Sequence, residues 1–148
     1  MKIYLDNCCL NRPFDDLDDD AVRMEAEAVI AIIDRCENGE WEFFSSDVLF
    51  DEIDNMPNFD RKQKVLMLYH SAKGHINLTT EIITRAKKLE HYNIKAYDAL
   101  HLASAEAGNV ELFLTTDRKL INAASRSDIT IKVKNPLIWL TEVLYDEQ

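Results

Sequence analysis

Glycine is scarce in this 148-residue sequence: Gly39, Gly74 and Gly108 are the only three, and none belongs to a glycine-rich turn. A P-loop or a dinucleotide fingerprint needs several glycines at fixed spacing behind a strand, so nucleotide chemistry of those kinds is excluded. Cysteine is equally rare. Cys8 and Cys9 are adjacent, too close for an unstrained disulfide, and Cys36 stands alone, which points to a reducing compartment. No long apolar run exists either. The longest, Ala28 to Ile33, falls far short of the ~20 residues that a bilayer span requires. The opening Met-Lys-Ile-Tyr-Leu meets Asp6 without an apolar signal core. A cytoplasmic protein with no membrane association is expected.

Basic charge is missing from the first part of the chain. Residues 1–60 hold 17 acids and 4 bases, residues 61–148 hold 10 acids and 13 bases, and the net charge is −10. A polyanionic partner therefore has only the later segment to use, through side chains such as Arg61, Lys62, Lys64, Arg85 and Arg118. What the sequence does have is length and apolar content for a core. A chain of this size buries roughly 70% of its unfolded surface, and one domain over residues 1–148 is expected.

Apolar patterning alternates between two periods. Lys2–Leu5, Trp41–Phe44, His75–Leu78, Glu111–Thr115 and Ile129–Val133 read as short strands. Between them, helices are expected over Val22–Cys36, ended by Asn38-Gly39, and over a short segment carrying Val48, Leu49, Phe50 and Ile53 behind a Ser45-Ser46-Asp47 cap. Further helices are expected over Asp60–Ala72, from Thr79 and Thr80 to about His91, over the alanine-rich IKAYDALHLASAEAG, over Asp117–Ser125 and over Pro136–Leu144. The stretch NCCLNRPFDD between the first strand and the first helix reads as a loop. Strands alternating with helices pair in parallel through crossovers, which predicts an α/β domain with helices on both faces of the sheet.

In open α/β sheets, ligands gather beyond the carboxyl ends of the strands. Asp6 directly follows the first strand, Glu52 lies in the helix after the second, Asp98 opens the alanine-rich helix, and Asp117 directly follows LFLTT. Each has a plain alternative as a strand end, an N-cap or a solvated acid. As a group they are harder to dismiss. Two carboxylates ~4 Å apart repel by roughly 4 kcal/mol at an effective dielectric of 20, so a cluster of four must take up protons or bind a cation. Oxygen donors of this kind favour Mg²⁺ or Mn²⁺ over zinc.

The segments YLDNCCLNRPFDD, SSDVLFDEI, KAYDALHLASAEAG and LFLTTDRKL fall in the order and spacing of the PIN domain, the nuclease fold of VapC-type toxins and related ribonucleases. The sequence resembles that family over nearly its whole length. The resemblance implies a three-layer α/β/α fold around a central five-stranded parallel sheet. It implies that Asp6, Glu52, Asp98 and Asp117 form an acidic quartet binding one or two Mg²⁺ or Mn²⁺ ions, and that Thr115 or Thr116 helps orient the site. Asp51 adjoins Glu52, but Glu52 matches the spacing better. The implied activity is endoribonuclease cleavage of single-stranded or looped RNA, leaving a 5′-phosphate and a 3′-hydroxyl. Arg12 and Arg118 are the cations expected near the scissile phosphate. If the likeness extends to the toxins, a small antitoxin covers the acidic edge and the chain forms a homodimer. A stand-alone RNA-processing nuclease and a non-catalytic PIN-like module that binds RNA or protein remain the alternatives.

One position departs from the family pattern. Two residues after the first aspartate, where a small hydroxyl or asparagine is usual, this sequence has Cys8, with Asn7 or Asn11 as substitutes for the missing hydrogen bond. Thiol catalysis at Cys8 or Cys9 would need His70, His75, His91 or His101 beside it. The cysteines are expected instead to pack as small apolar residues beneath the strand end. A phospho-receiver domain lacks its acidic pair and its phospho-accepting aspartate here, and a haloacid dehalogenase-type phosphatase lacks the second aspartate that Cys8 displaces.

Overall fold

Lys2–Leu5 forms β1, and its Ile3, Tyr4 and Leu5 are wholly buried, as a strand flanked by neighbours on both sides requires. The computed structural model describes residues 1–147. Four further strands run parallel to β1: β2 (Glu42–Ser46), β3 (Gly74–Ile76), β4 (Leu112–Leu114) and β5 (Lys132–Lys134), in the order β3-β2-β1-β4-β5. Register places Tyr4 opposite both Phe44 and Phe113. The Tyr4 and Phe113 rings stack with centroids 5.1 Å apart. The helices are α1 (Asn7–Asn11), α2 (Asp20–Glu37), α3 (Asp47–Asp54), α4 (Phe59–Tyr69), α5 (Thr80–Leu89), α6 (Ala96–Ala107), α7 (Arg118–Ser125) and α8 (Pro136–Asp146). The result is the three-layer α/β/α arrangement around a five-stranded parallel sheet that the sequence led us to expect.

Helix boundaries follow local chemistry. Asp19 caps α2 by accepting from the Val22 amide, and Gly39, at φ +83°, turns the chain out of it. The face of α2 carrying Val29, Ile32, Ile33 and Cys36 is buried, and α2 packs against α8. Trp139 of α8 meets Trp41 edge-on at 4.8 Å, which fastens that pair to the entrance of β2. Across the sheet, α5 lies along α6. Each fully buried Leu, Ile or Phe contributes about 1.5–3 kcal/mol, so this layer packing dominates the favourable side of folding. Among the described residues no helix is long and apolar enough to cross a membrane.

Sequence expectations shift in several places. The stretch NCCLNRPFDD is not a loop: Asp6 caps the five-residue α1, and a 3-10 turn over Arg12–Phe14 follows, suited by Pro13. β5 lies at Lys132–Lys134 rather than Ile129–Val133, because Ile129 and Ile131 pack against the core while the lysine-bearing residues pair with β4. Lysines on an edge strand also discourage unwanted pairing. β2 runs to Ser46 and excludes Trp41, whose ring serves α8 instead.

Candidate active site

The strand order reverses direction between β1 and β4, and a sheet of this kind opens a crevice at that switch point. Asp6 leaves β1 there. Its backbone amide donates to the Leu114 carbonyl of β4 (3.2 Å), and its Oδ1 accepts from the Cys9 amide (3.1 Å), so the first turn of α1 fixes its orientation. Asp117 leaves β4 at the same end and caps α7, with Oδ1 accepting from the Lys119 and Leu120 amides. Asp98 stands in the first turn of α6, which starts after Asn93 turns the chain through a left-handed φ of 64°. Glu52 comes from α3, whose N-terminus is capped by Ser46 at the end of β2.

These four acids line one cavity of about 360 Å³. Asp6 is buried, Glu52 and Asp98 are half-buried, and Asp117 is exposed. Burial, with added repulsion from negative charge on the nearby Cys8 sulfur, holds the Asp6 carboxyl well above the ordinary range. Burial also raises Asp98, opposed by His101 and reinforced by Asp117 and Glu52. Asp51, one residue before Glu52, is exposed and accepts from the Tyr97 hydroxyl instead.

His101, which its place one turn after Asp98 on α6 brings near the acids, also lines this cavity. It is buried and joins Glu52 to the sheet. Its Nε2 lies 3.1 Å from Glu52 Oε1 and its Nδ1 2.6 Å from the Tyr4 hydroxyl, which lies 2.6 Å from Ser46 Oγ. A carboxylate only accepts, so Nε2 donates to Glu52. In the neutral ring Nδ1 then accepts from Tyr4, which accepts from Ser46. This interior chain holds Glu52 facing the cavity.

The cysteines part ways. Cys9 is wholly buried and packs, as expected, with Sγ donating to the Leu114 carbonyl at 3.3 Å. Cys8 does not simply pack. Its Sγ lies 2.8 Å from Asp6 Oδ1 and 3.3 Å from Thr115 Oγ1, and accepts from the Thr116 amide at 3.3 Å. Thr115 Oγ1 in turn accepts from the Asp117 amide. One thiol therefore links the two strand ends that carry Asp6 and Asp117.

Two arginines share the cavity with the acids, each paired with a carboxylate. Arg12 and Arg61 both line the cavity and grip the two oxygens of Asp15: Arg12 Nη1 reaches Oδ2 at 3.1 Å, and Arg61 Nη1 reaches Oδ1 at 2.9 Å. Arg12 also pairs with Glu25, and its Nε is buried without a partner. Arg61, brought in from α4, had no signal in the sequence beyond its charge. Asn7 lines the cavity and is tied to Asn11. Arg118 does not line it: exposed, it borders a separate groove with Glu25 and Asn135. Thr115 and Thr116 lie behind the wall, reaching the site through Cys8.

The donor set suits a hard divalent cation. Four carboxylates share one space, two of them held toward their protonated form by burial, and a cation would relieve both burdens. The carboxylates surround the cavity rather than closing into a tight cage: among the described residues, the one trio of ligand-type atoms within 4.8 Å of one another is Asp6, Cys8 and Cys9. Mg²⁺ keeps several of its waters and uses few protein ligands, which fits so wide a ring.

Fold and site together define a class, a parallel α/β domain with a carboxylate-lined cavity at its switch point. The PIN-domain profile matches residues 3–125, and the chain belongs to the PIN-domain family. Three solved structures share its fold. FitAcB from Neisseria gonorrhoeae aligns with a TM-score of 0.57 at 18% identity, over 90% of this chain and 97% of that one. VapBC2 from Rickettsia felis, bound to a DNA fragment from their promoter, aligns at 0.57 and 16% over 91% and 98%. PAE2754 from Pyrobaculum aerophilum aligns at 0.54 and 15% over 96% and 90%. No curated protein matches the sequence.

Proposed function

We propose that this chain, acting as one domain over residues 1–148, is a Mg²⁺- or Mn²⁺-dependent endoribonuclease of the VapC toxin type. The observation that carries this is the convergence of Asp6, Glu52, Asp98 and Asp117, from four separate elements, on one cavity at the switch point of the sheet. A non-catalytic binding module would have no use for all four. Asp6, Asp98 and Asp117 would hold the metal, with Glu52 binding directly or through water. The cation, when bound, supplies an acidified water and neutralises charge on a phosphoryl oxygen.

The chain's own residues do the rest. His101 holds the Glu52 carboxylate in place, and Cys8 holds Asp6 against the end of β4. Arg12 and Arg61 line the same cavity as the acids and are the cations for the RNA phosphates, with Asp15 fixing both guanidinium groups. Arg118, expected near the scissile phosphate, borders a separate groove and has no part in this reading. An antitoxin partner and a homodimer, with cytoplasmic action, complete the proposal, supported by the likeness to VapBC2 and FitAcB.

The test is cleavage of labelled single-stranded RNA by the purified chain. Activity is expected with Mg²⁺ or Mn²⁺, none with EDTA, and a loss of more than about 10³-fold in Asp98→Asn with the fold retained by circular dichroism. Undiminished cleavage by Asp98→Asn would remove the site assignment.

A further inference from the structure

We propose that Asp6, Cys8 and Cys9 form a second metal site, one for a soft cation such as Zn²⁺, and that filling it takes Asp6 away from the hard cation. A carboxylate oxygen and both sulfurs lie within 4.8 Å of one another, the one such trio among the described residues. Tetrahedral zinc, with bonds of about 2.3 Å to sulfur and 2.0 Å to oxygen, sets its ligands roughly 3.5–3.8 Å apart. The 2.8 Å contact between Cys8 Sγ and Asp6 Oδ1 would open and the other two separations, neither above 4.8 Å, would settle to that spacing, by amounts within reach of side-chain rotation.

The three ligands come from one turn of chain. Asp6 is the N-cap of α1 and the cysteines stand in its first turn, already pinned by the Cys9 amide on Asp6 Oδ1. Little further ordering is needed to present them. Cys8 lines the cavity, so a water can complete the tetrahedron from that side, and Cys9 would exchange a weak sulfur contact with the Leu114 carbonyl for a metal bond. Sulfur is what separates this site from the ring of acids, since thiolates select zinc where carboxylates alone take Mg²⁺ or Mn²⁺. Coordination releases to buffer the Cys9 thiol proton and the one proton that Asp6 and Cys8 share across their 2.8 Å contact, and involves no change of oxidation state. That zinc would also silence RNA cleavage rests on the function proposed above, but capture of the metal does not.

The test uses the full chain, fully reduced, with Co²⁺ as the probe. A thiolate-to-cobalt charge-transfer band is expected in the near ultraviolet, displaced by Zn²⁺ and untouched by Cys36→Ala. Cys8→Ser and Cys9→Ala are each expected to weaken Co²⁺ binding by more than the roughly 10–100-fold that an outer-sphere partner is worth. Because Cys9 is wholly buried, a second measurement avoids substitution altogether. Zn²⁺, and not Mg²⁺, is expected to slow alkylation of Cys8 in the unaltered chain about tenfold or more, read by mass spectrometry. No band in the intact chain, a band indifferent to Cys8→Ser, or alkylation indifferent to Zn²⁺ would overturn the proposal. Cleavage without a cobalt band removes the soft-metal site and leaves the nuclease; a cobalt band without cleavage under any divalent cation does the reverse.

Discussion

His101 and His75 each join a hydroxyl on one side to a carboxylate on the other, one inside the molecule and one on its surface. His101 bridges Tyr4 and Glu52 with 2% of its side chain exposed. His75 bridges Ser45 Oγ (3.0 Å) and Asp47 Oδ1 (2.6 Å) at the outer edge of the sheet, with 40% exposed. The residue types are nearly the same. What differs is where the chain of contacts ends. The interior one ends on a carboxylate lining the cavity. The surface one ends on Asp47, whose other oxygen accepts from the Leu78 amide, so it fastens β3 to the start of α3. Burial, rather than the choice of side chains, separates a positioning relay from a surface clasp.

The largest expected break in this comparison is His101→Ala. It strands the buried Tyr4 hydroxyl, leaves a void and frees Glu52, for a loss of about 3 kcal/mol in urea denaturation and of about 10–100-fold in cleavage rate.

A smaller effect has opposite signs at the two places. Asp98 in the cavity titrates above its unfolded value near 3.9, so in EDTA it costs stability at neutral pH. That cost is gone once the pH falls below the unfolded value. Asp98→Asn is therefore expected to be more stable than the parent at about pH 7, the gap closing toward about pH 4. Asp47 is held below the ordinary range, chiefly by the Leu78 amide and then by His75. Its contribution is present above the unfolded value and lost as pH falls through the lower folded one. Asp47→Asn is expected to be less stable at neutral pH, with the gap closing only below about pH 4. Urea midpoints across that range in EDTA read both signs. The smallest effect is His75→Ala, at less than about 1 kcal/mol for so exposed a pair, with cleavage unchanged.

Much of this arrangement was legible in the sequence because two signals coincided. β1 is a short apolar run that stops at an aspartate, β4 is one followed by Thr-Thr-Asp, and α6 is alanine-rich with an acid in its first turn and a glycine at its end. The carboxyl-end rule then gathers the four acids without knowledge of the packing. What stayed hidden depended on long-range geometry. α1 is five residues long with no strong helix pattern, and it exists because Asp6 caps it between β1 and β4. Arg61 enters the cavity because α4 packs on α1 and its guanidinium finds Asp15, Asn11 and the Phe14 carbonyl. Cys8 looked like a missing hydrogen bond, yet its thiol makes those contacts itself. β5 was displaced because the isoleucines before it pack rather than pair.

The central claim, that the four carboxylates form a divalent-metal site, is tested most directly by thermal melting with and without Mg²⁺ in the unaltered chain and in Asp98→Asn. At about ten times Kd the metal is expected to add about 1.4 kcal/mol to the unaltered chain. That is a rise of roughly 2–4 °C per kcal/mol for a domain of this size. Asp98→Asn is expected to show little or none. No rise at millimolar Mg²⁺ or Mn²⁺ in the unaltered chain, or an equal rise in both, would contradict it.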